Sequence, residues 1–195
     1  MMRFLFAVGL FGSFFQGNAQ TSKSLSPVVW SNPSPAGTFE QEFGFVKNGK
    51  VQLIRLWNAP NRPPMQAILS EVALPSACWY PRWTPAPLSV SPNPSSGALF
   101  EVVYGLSCVS MAGPRGKTKI HLIRFHNPRG DSQMVKILSS LELQDAIGEN
   151  DGWSQAPVRA NSQTTGFESL WGIQIGNGLH LLRLRNVEPM ISILN

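Results

Sequence analysis

Apolar and polar positions along this chain follow short two-residue alternations rather than helical spacing, and the runs are punctuated by Pro, Gly and Asn. Lys50-Val-Gln-Leu-Ile-Arg-Leu-Trp-Asn58 and Lys119-Ile-His-Leu-Ile-Arg-Phe-His-Asn127 are alternating or nearly continuous apolar segments that end at Asn and a turn. That pattern predicts half-buried or fully buried strands. Each follows an aromatic-Gly pair, Phe43-Gly44 or Tyr104-Gly105, and each leads through a turn to a further strand, Met65 to Val72 or Met134 to Leu138. Lys47-Asn48-Gly49-Lys50 predicts a tight hairpin, because Asn-Gly suits the primed turn that matches strand twist. Upstream, Asn32-Pro33 to Glu40 and Asn93-Pro94 to Glu101 repeat one turn feeding one strand. A third echo, Phe167-Glu-Ser-Leu-Trp-Gly172 followed by Gly178-Leu-His-Leu-Leu-Arg-Leu-Arg-Asn186, lacks the Asn-Pro turn.

Strands with one apolar face must bury it against another sheet, so the expected fold is all-β, with two tandem antiparallel β-sandwiches. The expected boundaries are 20–84 and 85–195, joined near Thr84-Pro85-Ala86-Pro87. Phe39, Phe43, Phe45, Leu53, Ile54, Leu56 and Ile68 are the expected first core. Leu99, Val102, Ile120, Leu122, Phe125, Val135, Ile137, Leu182 and Leu184 are the expected second core. If the third echo is a full unit, the alternative is three four-stranded meanders of the propeller-blade or β-trefoil type.

Residues 1–19 read as a cleavable signal peptide: Arg3 precedes an apolar run from Phe4 to Phe15, and Gly17-Asn18-Ala19 supplies small residues for cleavage. The run is interrupted by Gly9, Gly12 and Ser13 and is shorter than the roughly 20 apolar residues a membrane-crossing helix needs. No later segment is long and apolar enough, so the expectation is an exported chain, secreted or at the cell surface, with no transmembrane segment after cleavage. The composition, with 16 Pro, 17 Gly and only 14% charged residues, favours short strands joined by turns. In an oxidising compartment Cys78 and Cys108 can pair as a single disulfide or remain as two buried thiols.

Candidate chemistry is sparse. The net charge of +5 is spread along the chain, with Lys117, Lys119, Arg124 and Arg129 as its one local concentration. Such a patch reads either as a phosphate- or polysaccharide-binding surface or as a solvated strand edge protected from aggregation; nucleic acid is not expected as a partner. His121, His126 and His180 form no metal-ligand spacing and are expected on strand surfaces. Asp145, Glu149, Asn150 and Asp151 fall in one Gly-bearing stretch, Gln144 to Trp153, whose spacing matches no calcium loop, so a solvated acidic loop is expected. With no nucleophile elbow, phosphate loop or paired catalytic carboxylates, neither an enzymatic activity nor a cofactor or metal is expected. Trp30, Trp57, Trp79, Trp83, Trp153 and Trp171 offer another function, since an exposed indole can stack on a sugar ring, whereas most tryptophans of sandwiches are core.

The segment from Pro87 to Asn195 resembles the C-terminal sorting domain of proteins exported by the type IX secretion system, a small Ig-like β-sandwich. The likeness rests on the opening Pro92-Asn93-Pro94 turn with Gly97, on Asn127 and Gly130 after an apolar strand, and on Gly178 and Arg183 before a final strand, Met190 to Leu194. Pro27 to Trp83 resembles the same Ig-like family and the sandwich domain of the flagellar hook-capping protein, through Asn32-Pro33, Trp57-Asn58 and Leu74-Pro75. The resemblance implies a non-enzymatic exported protein whose C-terminal half is a sorting and surface-anchoring module recognised by outer-membrane secretion machinery, with surface polysaccharide as a further partner. The chain departs from that family at His180, where an aromatic is usual, and at its ending, Ile191-Ser-Ile-Leu-Asn195. The competing expectation is a secreted adhesive or carbohydrate-binding module that shares only the sandwich fold.

Overall fold

A computed structural model describes residues 26–33, 39–58, 62–91, 101–110, 116–126, 134–148, 150–163 and 166–194. The expected signal peptide, residues 1–19, lies outside the described residues, as do Pro92, Asn93, Pro94, Gly97, Leu99, Asn127 and Gly130. The fold is all-β and antiparallel, and the described residues contain no helix.

Three sheets follow one another along the chain. In the first, β1 (Val28–Pro33), β2 (Phe39–Lys47), β3 (Lys50–Trp57) and β4 (Met65–Ala73) run as a meander in that order. In the second, β5 (Trp79–Trp83) and β6 (Ser89–Ser91) pair with opposite ends of β7 (Glu101–Ser110), which continues to β8 (Lys117–His126) and β9 (Val135–Leu143). The third repeats the second: β10 (Gly152–Trp153) and β11 (Arg159–Gln163) pair with opposite ends of one edge of β12 (Gly166–Ile175), which continues to β13 (Gly178–Arg185) and β14 (Ile191–Leu194). Thr84 to Pro87, the expected joint, therefore connects two strands that both pair with β7. The third echo is a full sheet with the same connectivity.

Local chemistry explains the hairpins. Asn48 and Gly49 take φ of 52° and 71°, the primed turn expected of Asn-Gly, and bring Lys47 opposite Lys50. Gly176 and Asn177 make the matching two-residue turn between β12 and β13, with Gly176 at φ 56° and Ile175 opposite Gly178. One extra residue bulges β4 between Ile68 and Ser70, and β9 bulges at the equivalent place between Ile137 and Ser139.

The sheets pack face to face through two apolar cores, and the middle sheet is common to both. Val51 and Leu53 of the first sheet share a core with Val102, Tyr104, Leu106, Ile123, Phe125 and Val135 of the second. Ile120 and Leu122, on the other face of β8, share a core with Trp171, Ile173, Leu182 and Leu184 of the third. Two expectations are corrected here. Val102, Phe125 and Val135 belong with the first sheet rather than with Leu182 and Leu184, because successive side chains of one strand point to opposite faces and both faces of the middle sheet are covered. Phe45 and Ile68 are exposed rather than core, because they lie on the face of the first sheet turned away from the second. The first two sheets approach closely at Gly44, where a Cβ would stand 2.4 Å from Cζ of Phe125. Only a residue without a side chain fits there.

Candidate functional site

The three sheets carry one signature in register, Phe-Glu-x-x-aromatic-Gly on the second strand and an Arg two residues past a Leu on the third. Arg55, Arg124 and Arg183 stand at equivalent positions, opposite Glu42, Val103 and Leu170 respectively. Glu40 and Glu168 stand near the start of equivalent strands, and each lies diagonally across from its Arg: Arg55 Nε is 3.0 Å from Glu40 Oε1, and Arg183 Nε is 3.5 Å from Glu168 Oε1.

Only the first sheet adds a second carboxylate. Glu42 is fully buried, and its Oε1 accepts hydrogen bonds from Arg55 Nε at 3.0 Å and Nη2 at 2.7 Å. Its Oε2 is buried without a hydrogen-bond partner. Burial raises the Glu42 pKa above the ordinary carboxylate value; the hydrogen bond and charge of Arg55 oppose that shift, and the nearby charge of Glu40 adds to it. Beside this cluster a cleft of about 200 Å³ is lined by Glu40, Arg55, Trp57, Ala67 and Leu69. It lies where Ala67 faces Arg55 across the sheet; the second sheet places Lys136 opposite Arg124 at that position. Trp57 is half-buried at the strand end, opposite Glu40 and Met65. The cleft thus combines an indole, a guanidinium and a carboxylate with an apolar floor.

The residues singled out from sequence are distributed elsewhere. Cys78 and Cys108 form a disulfide with Cα atoms 4.9 Å apart, tying the start of β5 to β7. Gly178 opens β13 next to the turn, and Arg183 sits in mid-strand facing Leu170 and Ser192. Trp83, Trp153 and Trp171 are buried, and Trp79 is exposed. Lys117 and Lys119 both face Glu142, at 2.6 and 3.7 Å, and the exposed Glu142 has its pKa lowered chiefly by the hydrogen bond from Lys117.

His121 and His126 are buried, which corrects their expected place on a strand surface: the third sheet covers one face of β8 and the first covers the other. His121 Nδ1 lies 2.7 Å from Ser140 Oγ. Desolvation, followed by the charge of Lys119, lowers its pKa to about 4, so the ring is neutral near pH 7.

The described residues of the acidic stretch from Gln144 to Trp153 are bonded mainly to neighbouring strands and turns. Asp145 O accepts from the Thr118 hydroxyl at 2.6 Å, and Asp151 Oδ2 accepts from the N–H groups of Gly148 and Gly176 at 2.7 and 2.9 Å. Asp145 Oδ2 stands 3.8 Å from His180 Nε2. Among the described residues no group of three or more His, Cys, Asp or Glu side chains is arranged to hold a metal ion. No described helix is long and apolar enough to cross a membrane. Comparison with protein families, curated proteins and solved structures finds no match to this chain.

Proposed function

We propose that this chain is a non-enzymatic exported binding protein that holds a single sugar ring in the cleft of its first sheet. The observation that carries this reading is the half-buried Trp57 in the same cleft as Glu40 and Arg55. An indole face stacks on the C–H surface of a pyranose, while a carboxylate and a guanidinium accept from and donate to its hydroxyls. The cleft, at about 200 Å³, is below the ~300–1,000 Å³ of pockets for drug-sized ligands, which suits one ring rather than an oligosaccharide. The buried Glu42 fixes the orientation of Arg55 by accepting from its Nε and Nη2. A glycan-binding screen followed by calorimetry tests the reading. Trp57→Ala should abolish binding of the selected glycan, and Trp79→Ala, which alters an exposed indole outside the cleft, should leave it unchanged. Absence of any glycan bound by the unaltered chain, or equal loss in both variants, would overturn it.

A second reading, a type IX sorting and surface-anchoring module in the C-terminal half, rests on the sequence resemblance. It is supported by the order of the last two strands, where Gly178 opens β13, Arg183 follows and β14 comes last. Its test is delivery of a reporter inserted after the leader of the whole chain, in hosts with and without a working type IX system. The whole chain is required, because a fragment starting at Pro85 would lack β5 and Cys78, both attached to β7. Periplasmic retention in both hosts would reject this reading.

A further inference from the structure

We propose that two copies of this chain join head to tail, the free face of each first sheet packing on the free face of the partner's third sheet to close a ring of six sheets. The reason lies in the repetition of one interface. Within the chain the front of one sheet covers the back of the next. At the front of the second sheet Leu88, Ile120 and Leu122 are buried against the third. Their counterparts in the third sheet are Val158, Leu179 and Leu181. Val158 N–H donates to Leu170 O as Leu88 N–H donates to Val103 O, which fixes the correspondence. Yet Val158 is 62% exposed, Leu179 is 64% exposed and Leu181 is only half-buried.

The opposite end shows the complementary deficit. At the backs of the second and third sheets Leu106, Ile123 and Phe125, and likewise Ile173, Leu182 and Leu184, are fully buried. Their counterparts in the first sheet are Phe45, Ile54 and Leu56: Phe45 is exposed, and Ile54 and Leu56 are half-buried. Ile68, opposite Ile54 on the same face, is 56% exposed. The repeat therefore leaves one unfilled front and one unfilled back, of the kinds that already mate twice within the chain.

A heterologous contact of this type closes into a ring or propagates as a filament. Closed rings of radially arranged four-stranded sheets use roughly four to eight, so three fall short and six from two copies fall within the range. A second copy also carries the fitting surface by construction, which no other partner is bound to do.

Sedimentation equilibrium and light scattering of the exported chain should give twice the mass of one chain. Ile68→Asp and Leu179→Asp should each reduce it to a single chain with the circular dichroism spectrum kept, because both side chains are solvent-exposed in one copy; the thermal midpoint should fall only by the share that association supplies and lose its dependence on protein concentration. An equimolar mixture of the two variants retains one unaltered back and one unaltered front, on different chains. It should therefore regain a two-chain mass, with an affinity below that of the unaltered protein, which makes two contacts. A monomer at all concentrations, a dimer insensitive to Leu179→Asp, or any other stoichiometry would overturn the proposal.

Discussion

His121 holds an unusual position for a titratable side chain, buried beneath covered strands with Ser140 as its bonded neighbour and Lys119 nearby. Its folded pKa of about 4 lies below the ordinary histidine value, so between those two values the unfolded chain binds the extra proton. Stability contributed by the neutral ring is complete above the unfolded value and is lost as pH falls toward 4, by up to about 3 kcal/mol at ~1.4 kcal/mol per pKa unit. Denaturant midpoints measured from pH 7 to pH 4 should show this fall, and His121→Gln should flatten it. Glu42 works in the opposite sense. Its raised pKa means that the folded state binds the extra proton just above the ordinary carboxylate range, so this group alone favours folding as pH drops through that window. Glu42→Gln keeps the shape and removes the buried charge; its stability should lose that opposing slope, and the same titration, compared with the unaltered chain, reads the difference. Arg55→Ala should be costlier, by about 3 kcal/mol or more, since it strands the buried carboxylate without its cation.

At the scale of elements, the contact of sheet on sheet depends on small features of single strands. Gly44→Ala would drive a methyl group into the ring of Phe125 and should cost roughly 1–3 kcal/mol, readable as a lowered thermal midpoint. Phe125→Leu should recover part of that loss when combined with it, because it removes the obstructing ring. The disulfide between Cys78 and Cys108 spans 30 residues and anchors β5 to β7; replacing both cysteines with serine should destabilise by about 2–4 kcal/mol. The long strands and the Asn48-Gly49 turn were legible in the sequence, since alternation and an Asn-Gly pair are local signals; the short strands β1, β5, β6, β10 and β11, too brief to show a period, were not. The assignment of faces was not. Val102, Phe125 and Val135 read as partners of Leu182 and Leu184 because all sit in one stretch of chain, whereas their faces are decided by which sheet lies on which side. The third unit read as an echo because it lacks the Asn-Pro turn, although Phe167-Glu168 and Arg183 mark it as clearly as Phe39-Glu40 and Arg55 mark the first. The candidate cleft was missed for a related reason: Glu40 and Arg55 read as marks of the repeat, and the informative deviation was Glu42, where the other units place Val103 and Leu170.

For the whole molecule, the shared middle sheet sets how the chain unfolds. Its two faces complete different cores, so losing either outer sheet exposes a face that water cannot solvate cheaply. Removing the first sheet would uncover Tyr104, Leu106, Ile123 and Phe125, all buried in the complete chain. At roughly 1.5–3 kcal/mol for each large apolar side chain returned to water, this loss is comparable to the ~5–15 kcal/mol that holds a typical domain folded. The chain should consequently unfold in one transition, with coincident midpoints by far-ultraviolet circular dichroism and by tryptophan fluorescence. The probes are spatially separated: Trp83 lies in the first core, and Trp153 and Trp171 lie in the second. A chain beginning at Pro75, which keeps the disulfide and the second and third sheets, should bind a hydrophobic dye and aggregate rather than fold as a stable unit. Two resolved transitions in the complete chain, or a soluble and cooperatively melting fragment, would mean that each core is self-sufficient and that the middle sheet does not couple them.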